Sequence, residues 1–329
     1  MSWSSVCYPK QFTANDMAGV QYTLNRLILM IPTFLLVMVI IFLLVRLLPG
    51  DPAIAIAGDK ASDADIAAIR EKLGLNAPLW TQFWLFLTNT LQGDLGRSIL
   101  MRAPVVDVVF ARLPTTVFLT IYAVSLSILI AGPLAFLAAV NRGKWQDNLI
   151  RAIFQIGLSM PVFYIGLILL TFLAAQLRLF PVGGYGETFS ERLYHLFLPA
   201  VTVALYTSAI LMRNLRAAII EVLDAEYVQF ARAKGLPNRL ILGRHVLKNA
   251  LISTVTLLGL SIGQLMSGTL VTETVFAIPG VGRSMLEAIF ARDYPLIQGL
   301  TLTFAVLVSL VFLMTDIFQS WLDPRMRLT

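Results

Sequence analysis

The chain has 329 residues, enough for two ordinary soluble domains, yet 57% of it is hydrophobic and only 13% charged, which excludes an ordinary soluble fold. Lys and Arg outnumber Asp and Glu by 25 to 19, a net charge of +6, so the placement of those cations decides what they meet. A single cysteine, Cys7, forbids an internal disulfide, and two histidines, His195 and His245, are too few for a self-contained His/Cys zinc or haem site.

Lipid cannot hydrogen-bond a backbone, so a crossing segment is a helix of about 20 largely uncharged residues. Six gaps between charges qualify: Arg26 to Arg46, Arg112 to Arg142, Arg151 to Arg178, Arg192 to Arg213, Lys248 to Glu273 and Asp293 to Asp316. The expected fold is an all-α polytopic membrane protein with six transmembrane helices. Residues 1–25 form an N-terminal segment and 26–47 the first span. This span is too long for a signal-peptide core and is followed by Leu47-Leu48-Pro49-Gly50, not by a small-residue cleavage site, so it is a retained anchor.

Residues 48–112 make an extracytoplasmic helical insertion. Ser62-Asp63-Ala64-Asp65 resembles a capping box, Ile66 to Leu73 carries a helical pattern and Gly74 suits a left-handed stop. In the next uncharged stretch Trp80, Phe83, Trp84, Leu87 and Leu91 share one helical face, which predicts an amphipathic surface helix and not a span. Residues 113–323 form a core of five helices and 324–329 a short tail. Cations crowd the loops after the second span (Arg142, Lys144, Arg151) and the fourth, so those loops and both termini are expected in the cytoplasm.

The loop 213–248 carries Arg213, Arg216, Arg232, Lys234, Arg239, Arg244 and Lys248 against Glu221, Asp224 and Glu226. Asp224 reads as an N-cap, Glu226 as a first-turn acid, Arg232 and Lys234 as last-turn bases, and Gly235 with Pro237 as the stop. Asn238 to Lys248 then reads as a second helix entering the fifth span. Small residues Ala231, Ala233 and Gly235 leave the first helix approachable by another protein. Tethering at both ends to membrane spans argues against a nucleic-acid partner.

These residues also resemble a family. Glu226-Tyr227-Val228-Gln229-Phe230-Ala231-Arg232-Ala233-Lys234-Gly235-Leu236, followed by Arg244-His245-Val246-Leu247-Lys248-Asn249-Ala250, is similar to the coupling-loop motif of ABC-importer permeases of the dipeptide, oligopeptide and nickel family. Further fragments fit its B-type permease subunit: Arg46-Leu47-Leu48-Pro49-Gly50-Asp51-Pro52-Ala53, Gly93-Asp94-Leu95-Gly96-Arg97-Ser98, Arg112-Leu113-Pro114-Thr115-Thr116, Ser159-Met160-Pro161-Val162-Phe163, Glu273 to Gly282, Arg292-Asp293-Tyr294-Pro295 and Leu322-Asp323-Pro324-Arg325. The resemblance implies a cytoplasmic coupling helix in which Glu226, Tyr227, Ala231, Arg232, Ala233, Lys234 and Gly235 contact an ATPase. It also implies a second homologous permease subunit, two ATPase subunits that hold ATP and Mg, an extracytoplasmic solute-binding protein and an inner-membrane location. This chain itself lacks a phosphate loop, since Gly143-Lys144 is followed by Trp145. It is expected to bind no cofactor and no metal and to be a transport subunit, not an enzyme.

Thr256, Gly259, Gly263 and Ser267 form a small-residue stripe in the fifth span that suits close helix packing. Gln264, Ser267 and Ser159 are candidates for the translocation path. Phe276, Pro279, Gly280 and Arg283 are candidates for docking the binding protein. An intramembrane protease lacks its paired aspartates here, and a stand-alone channel or secondary transporter would carry mid-span charges that the six gaps do not contain. Peptides are the expected solute, with nickel, glutathione, opines and oligosaccharides as alternatives.

Overall fold

A computed structural model describes residues 14–47, 53–54, 61–72 and 74–322. Among the described residues the chain is helical, with an isolated bridge between Arg97 and Pro104 in place of any strand. The helices are α1 (Ala14–Leu47), α2 (Asp63–Lys72), α3 (Leu79–Leu91), α4 (Val105–Val140), α5 (Trp145–Ser159) and α6, which is Val162–Leu169 prolonged by wider turns over Leu170–Gln176. They continue as α7 (Phe189–His195), α8 (Phe197–Asp224), α9 (Glu226–Ala233), α10, α11 (Val281–Phe290) and α12 (Tyr294–Leu322). Helix α10 begins at Asn238–Leu240, widens over Ile241–Leu247 and runs on as Lys248–Val275.

Helix α2 stops where expected, with Gly74 at φ +65° and the amides of Gly74 and Leu75 reaching back to Glu71 and Arg70. Helix α3 is amphipathic, but the expected apolar face divides. Phe83 and Phe86 pack on Phe42 of α1 at ring separations of 5.2 and 6.0 Å and Leu87 is buried, whereas Trp80 and Trp84 stay exposed.

Three helices are long and apolar enough to cross a membrane among the described residues: Val105–Val140, Phe197–Leu223 and Tyr294–Gln319. The expected third span is bent: α5 and α6 meet at an angle of 98° and pass as a fourth crossing when taken as one broken unit. Pro161 causes the break. It has no N–H for a continuing helix, and it pushes Met160 before it into an extended conformation, φ −97°, ψ 133°. Helix α1 contributes the shorter apolar stretch Ile28–Leu44.

Helix α8 lies at the centre, packed chiefly on α4 and then on α10. Ala131, Ala135 and Ala138 of α4 are buried at helical spacing beside Ala209, Met212 and Leu215 of α8, so the two backbones approach closely. Gly259 and Gly263 do the same for α10 against Thr315 and Phe312 of α12, and a Cβ at Gly259 would collide with Thr315. The small-residue stripe is therefore a packing seam over those two glycines; the side chains of Thr256, Gln264 and Ser267 lie outside the described residues.

Motifs far apart in sequence meet at the end of the bundle opposite α9. Thr116 Oγ1 donates to Glu273 Oε1 at 2.6 Å and accepts from the Val281 amide at 2.9 Å. The Arg283 amide donates to Glu273 Oε2 at 2.9 Å, so this buried carboxylate seats the N-terminus of α11. Asp293, also buried, accepts from Ser98 Oγ at 2.5 Å and from the Leu100 amide at 2.9 Å, which ties the loop before α4 to the start of α12.

Candidate functional site

Helix α9 is short, and its ends explain how it holds its shape. At its C-terminus Gly235 adopts φ +75°, its amide donates to Arg232 O at 2.9 Å and the Leu236 amide to Ala231 O at 3.3 Å, the paired bonds of a left-handed helix stop. The expected N-cap is corrected. Asp224 is the last residue of α8 and pairs with Arg142 at 2.8 Å, while Ala225 occupies the cap position with no side-chain bond. Lys234 is the C-cap residue, and its Nζ lies 4.6 Å from the centroid of the Phe230 ring.

The two faces of α9 have different work. Val228 and Ala231 are buried in a cluster with Ile219 of α8 and Ile241, Val246 and Ala250 of α10. Ala231 thus meets this chain's own bundle, not a partner's groove, and its smallness serves that internal contact. On the outer face Glu226, Tyr227, Phe230, Arg232, Ala233, Lys234 and Gly235 are exposed, Tyr227 by 45% and Phe230 by 62%. Leu236 and Leu240 extend this apolar surface beyond the helix. Phe230, Leu236 and Leu240 lie exposed beside the expected coupling residues, and the readable signal was their apolar character amid charged neighbours. Tyr227 is not idle: its hydroxyl accepts from Asn249 Nδ2 at 2.9 Å, a second link to α10.

Beneath α9, Arg216 of α8 grips the buried Asp147 of α5 with two hydrogen bonds. Helix α9 is held to α8 through Ile219 and to α10 through Val246, Ala250 and Asn249, while Arg142 ties the α4–α5 turn to Asp224 at the end of α8.

The other expected residues fall elsewhere. Ser159 is exposed at the break between α5 and α6, bonded back to Gln155 O at 2.9 Å. Phe276 is 1% exposed and packs into the core beside Gly166, and Gly280 is buried against the Glu273 carboxylate, so neither offers surface to a docked protein. Burial has a simple cause: the chain must turn back over α4 there, and Phe276 plugs the turn. Pro279 and Arg283 are half-exposed, with Arg283 paired to Glu287 at 2.8 Å. His195 Nδ1 lies 2.9 Å from Gly183 O, a loop contact. Among the described residues no group of His, Cys, Asp and Glu is gathered as a metal site would require.

Residues 131–328 match the family described as the inner membrane component of binding-protein-dependent transport systems, and residues 19–120 match its N-terminal component. The chain belongs to this family. It is an inner-membrane permease subunit of an ABC importer, of the dipeptide, oligopeptide and nickel type, and so works with ATPase and solute-binding partners. Glutathione transport system permease proteins GsiC from Pectobacterium atrosepticum and Escherichia coli K12 are 38% and 37% identical over 306 residues, 93% of this chain and 98% of theirs. The fold is also similar to solved ABC transporters. An inward-facing structure of the MetNI methionine transporter gives a TM-score of 0.55 at 17% identity, covering 66% of this chain and 96% of that one. An amino acid ABC transporter gives 0.52 at 15% identity, covering 65% and 93%.

Proposed function

We propose that the permease crosses the membrane six times, through α1, α4, the broken α5–α6 pair, α8, α10 and α12, with α9 and both termini in the cytoplasm. The cations of the 142–151 and 213–248 loops support that orientation. It forms the translocation path together with a second, homologous permease. Helix α9 seats in a groove of an ATPase subunit, which binds ATP with Mg, and closure of the ATPases rocks α8 and α10 to alternate access. The single observation that carries this reading is the division of α9 into an internally bonded face and an outward apolar face of Tyr227, Phe230 and Leu236. The solute is a small peptide delivered by a binding protein docked near Pro279 and Arg283; the names of the relatives make glutathione, itself a tripeptide, the first solute to try.

The test is Phe230→Asp in the assembled importer. The variant is expected to insert and fold normally, lose ATPase co-purification and abolish uptake. Full ATPase association by this variant would refute the docking face.

A further inference from the structure

Along α5 the polar residues Asn148, Arg151, Gln155 and Ser159 recur at helical spacing, and all are exposed. Leu149, Ile153 and Ile156 occupy a neighbouring exposed stripe, so a polar strip runs beside an apolar one. In the proposed orientation, Asn148 and Arg151 stand at the cytoplasmic rim, and where the strip continues to Gln155 and Ser159 inside the bilayer it faces protein or a watery space, because hydrocarbon cannot solvate it. Opposite this strip α8 presents Arg213 and Arg216, and between the two helices lies a cleft of about 500 Å³. None of its lining residues is acidic. Arg216 is already committed to Asp147. Arg151 and Arg213 form no ion pair among the described residues, though Arg151 also lies within the field of the Asp147 carboxylate; Arg213 and the amides of Asn148 and Gln155 face no acid in the cleft lining.

The geometry points to this cleft as a binding site for a carboxylate of the transported solute on the inner half of its route. Guanidinium matches carboxylate in a two-bond fork, and the volume falls within the range of small-molecule sites. The inference rests on the permease reading and adds a substrate class to it: anionic solutes, small acidic peptides among them. Ser159, at the break, stands at the far end of the same strip, which brings that candidate into line with Arg151.

The test uses the complete importer, without binding protein or nucleotide, in phosphatidylcholine nanodiscs. Radiolabelled glutathione and the dipeptide Glu-Glu are titrated against their esterified, carboxylate-free forms. Saturable binding of at least one acid but not its ester is expected, weakened about tenfold or more in R151Q/R213Q and partly restored in R151K/R213K. Co-purification of the ATPases with each variant reads the coupling proposal separately, so that failure there is distinguishable from failure here. Equal binding of acid and ester, unchanged binding in R151Q/R213Q, or no binding of either acid to the unmodified complex would overturn the assignment. A second set of nanodiscs includes phosphatidylglycerol. Persistent acid binding there supports the site; displacement by the lipid, absent in R151Q/R213Q, makes it a lipid headgroup site and overturns the solute reading.

Discussion

Arg216 Nε and Nη2 reach the two carboxylate oxygens of Asp147 at 2.7 and 2.6 Å, joining α8 to α5 through an acid that is 1% exposed. The pair is separated by 69 residues, and a third hydrogen bond, from the Gly143 amide at 3.0 Å, fixes the turn before α5 to the same carboxylate.

Arg216→Met therefore leaves a buried carboxylate with one donor. A loss of about 3 kcal/mol is expected, seen as a lower Tm of the purified complex. The double variant D147L/R216M should recover much of it, because no charge is then stranded. A single variant as stable as the unmodified chain would show that the pair contributes little.

Ala277 closes α10 at φ 50°, where an L-residue is strained, while the Ile278 amide donates to Glu273 O at 2.8 Å. Ala277→Gly keeps this stop and removes the Cβ conflict, so stability should rise by about 1 kcal/mol. Thermal unfolding checks it, and a fall in Tm is the contrary result.

Thr116→Val removes a hydroxyl that serves both the Glu273 carboxylate and the Val281 amide in a dry environment. The expected cost is about 2 kcal/mol, with Thr116→Ser close to neutral. Protease protection of the segment 276–293 is the measurement, since α11 is the element released. Equal protection in the Val and Ser variants would place the hydroxyl outside the cause.

Inner and outer faces of α9 should separate cleanly. Val228→Asp buries a charge among Ile219, Ile241 and Val246 and is expected to lower folded yield severely. Tyr227→Phe removes only the bond from Asn249, and a modest drop in uptake with intact ATPase association is expected. Identical behaviour of both variants in size-exclusion and uptake assays would deny the two-faced arrangement.

Local signals were legible in the sequence. Gly74 and Gly235 stop their helices as read because left-handed backbone is a property of one residue and its immediate neighbours. The extent of α9 was readable from its local stop for the same reason, whereas Gly259 and Gly263 were readable as packing residues from their helical spacing, with their partners Thr315 and Phe312 hidden from any local pattern. Asp224 misled because a cap and an ion pair compete for the same carboxylate, and its rival, Arg142, lies 82 residues away. The break at Pro161 was visible as a proline, but a count of uncharged residues is blind to it. Phe276 and Gly280 sat in a motif whose burial depends on Thr116, a partner 157 residues from Glu273 that no local pattern can supply. Ala231 looked small for a partner's sake and is small for its own chain's.

The 98° break has a consequence for hydration. A helix that ends leaves its last four carbonyls without intrahelical donors, and one that starts leaves its first amides without acceptors. At Met160 and Pro161 both sets fall in the middle of a segment otherwise suited to hydrocarbon, next to the exposed hydroxyl of Ser159. Such groups must find water or protein. As one broken crossing, α5 and α6 would thus require polar company at their seam, and the proline fixes the depth at which this segment needs a neighbour other than lipid.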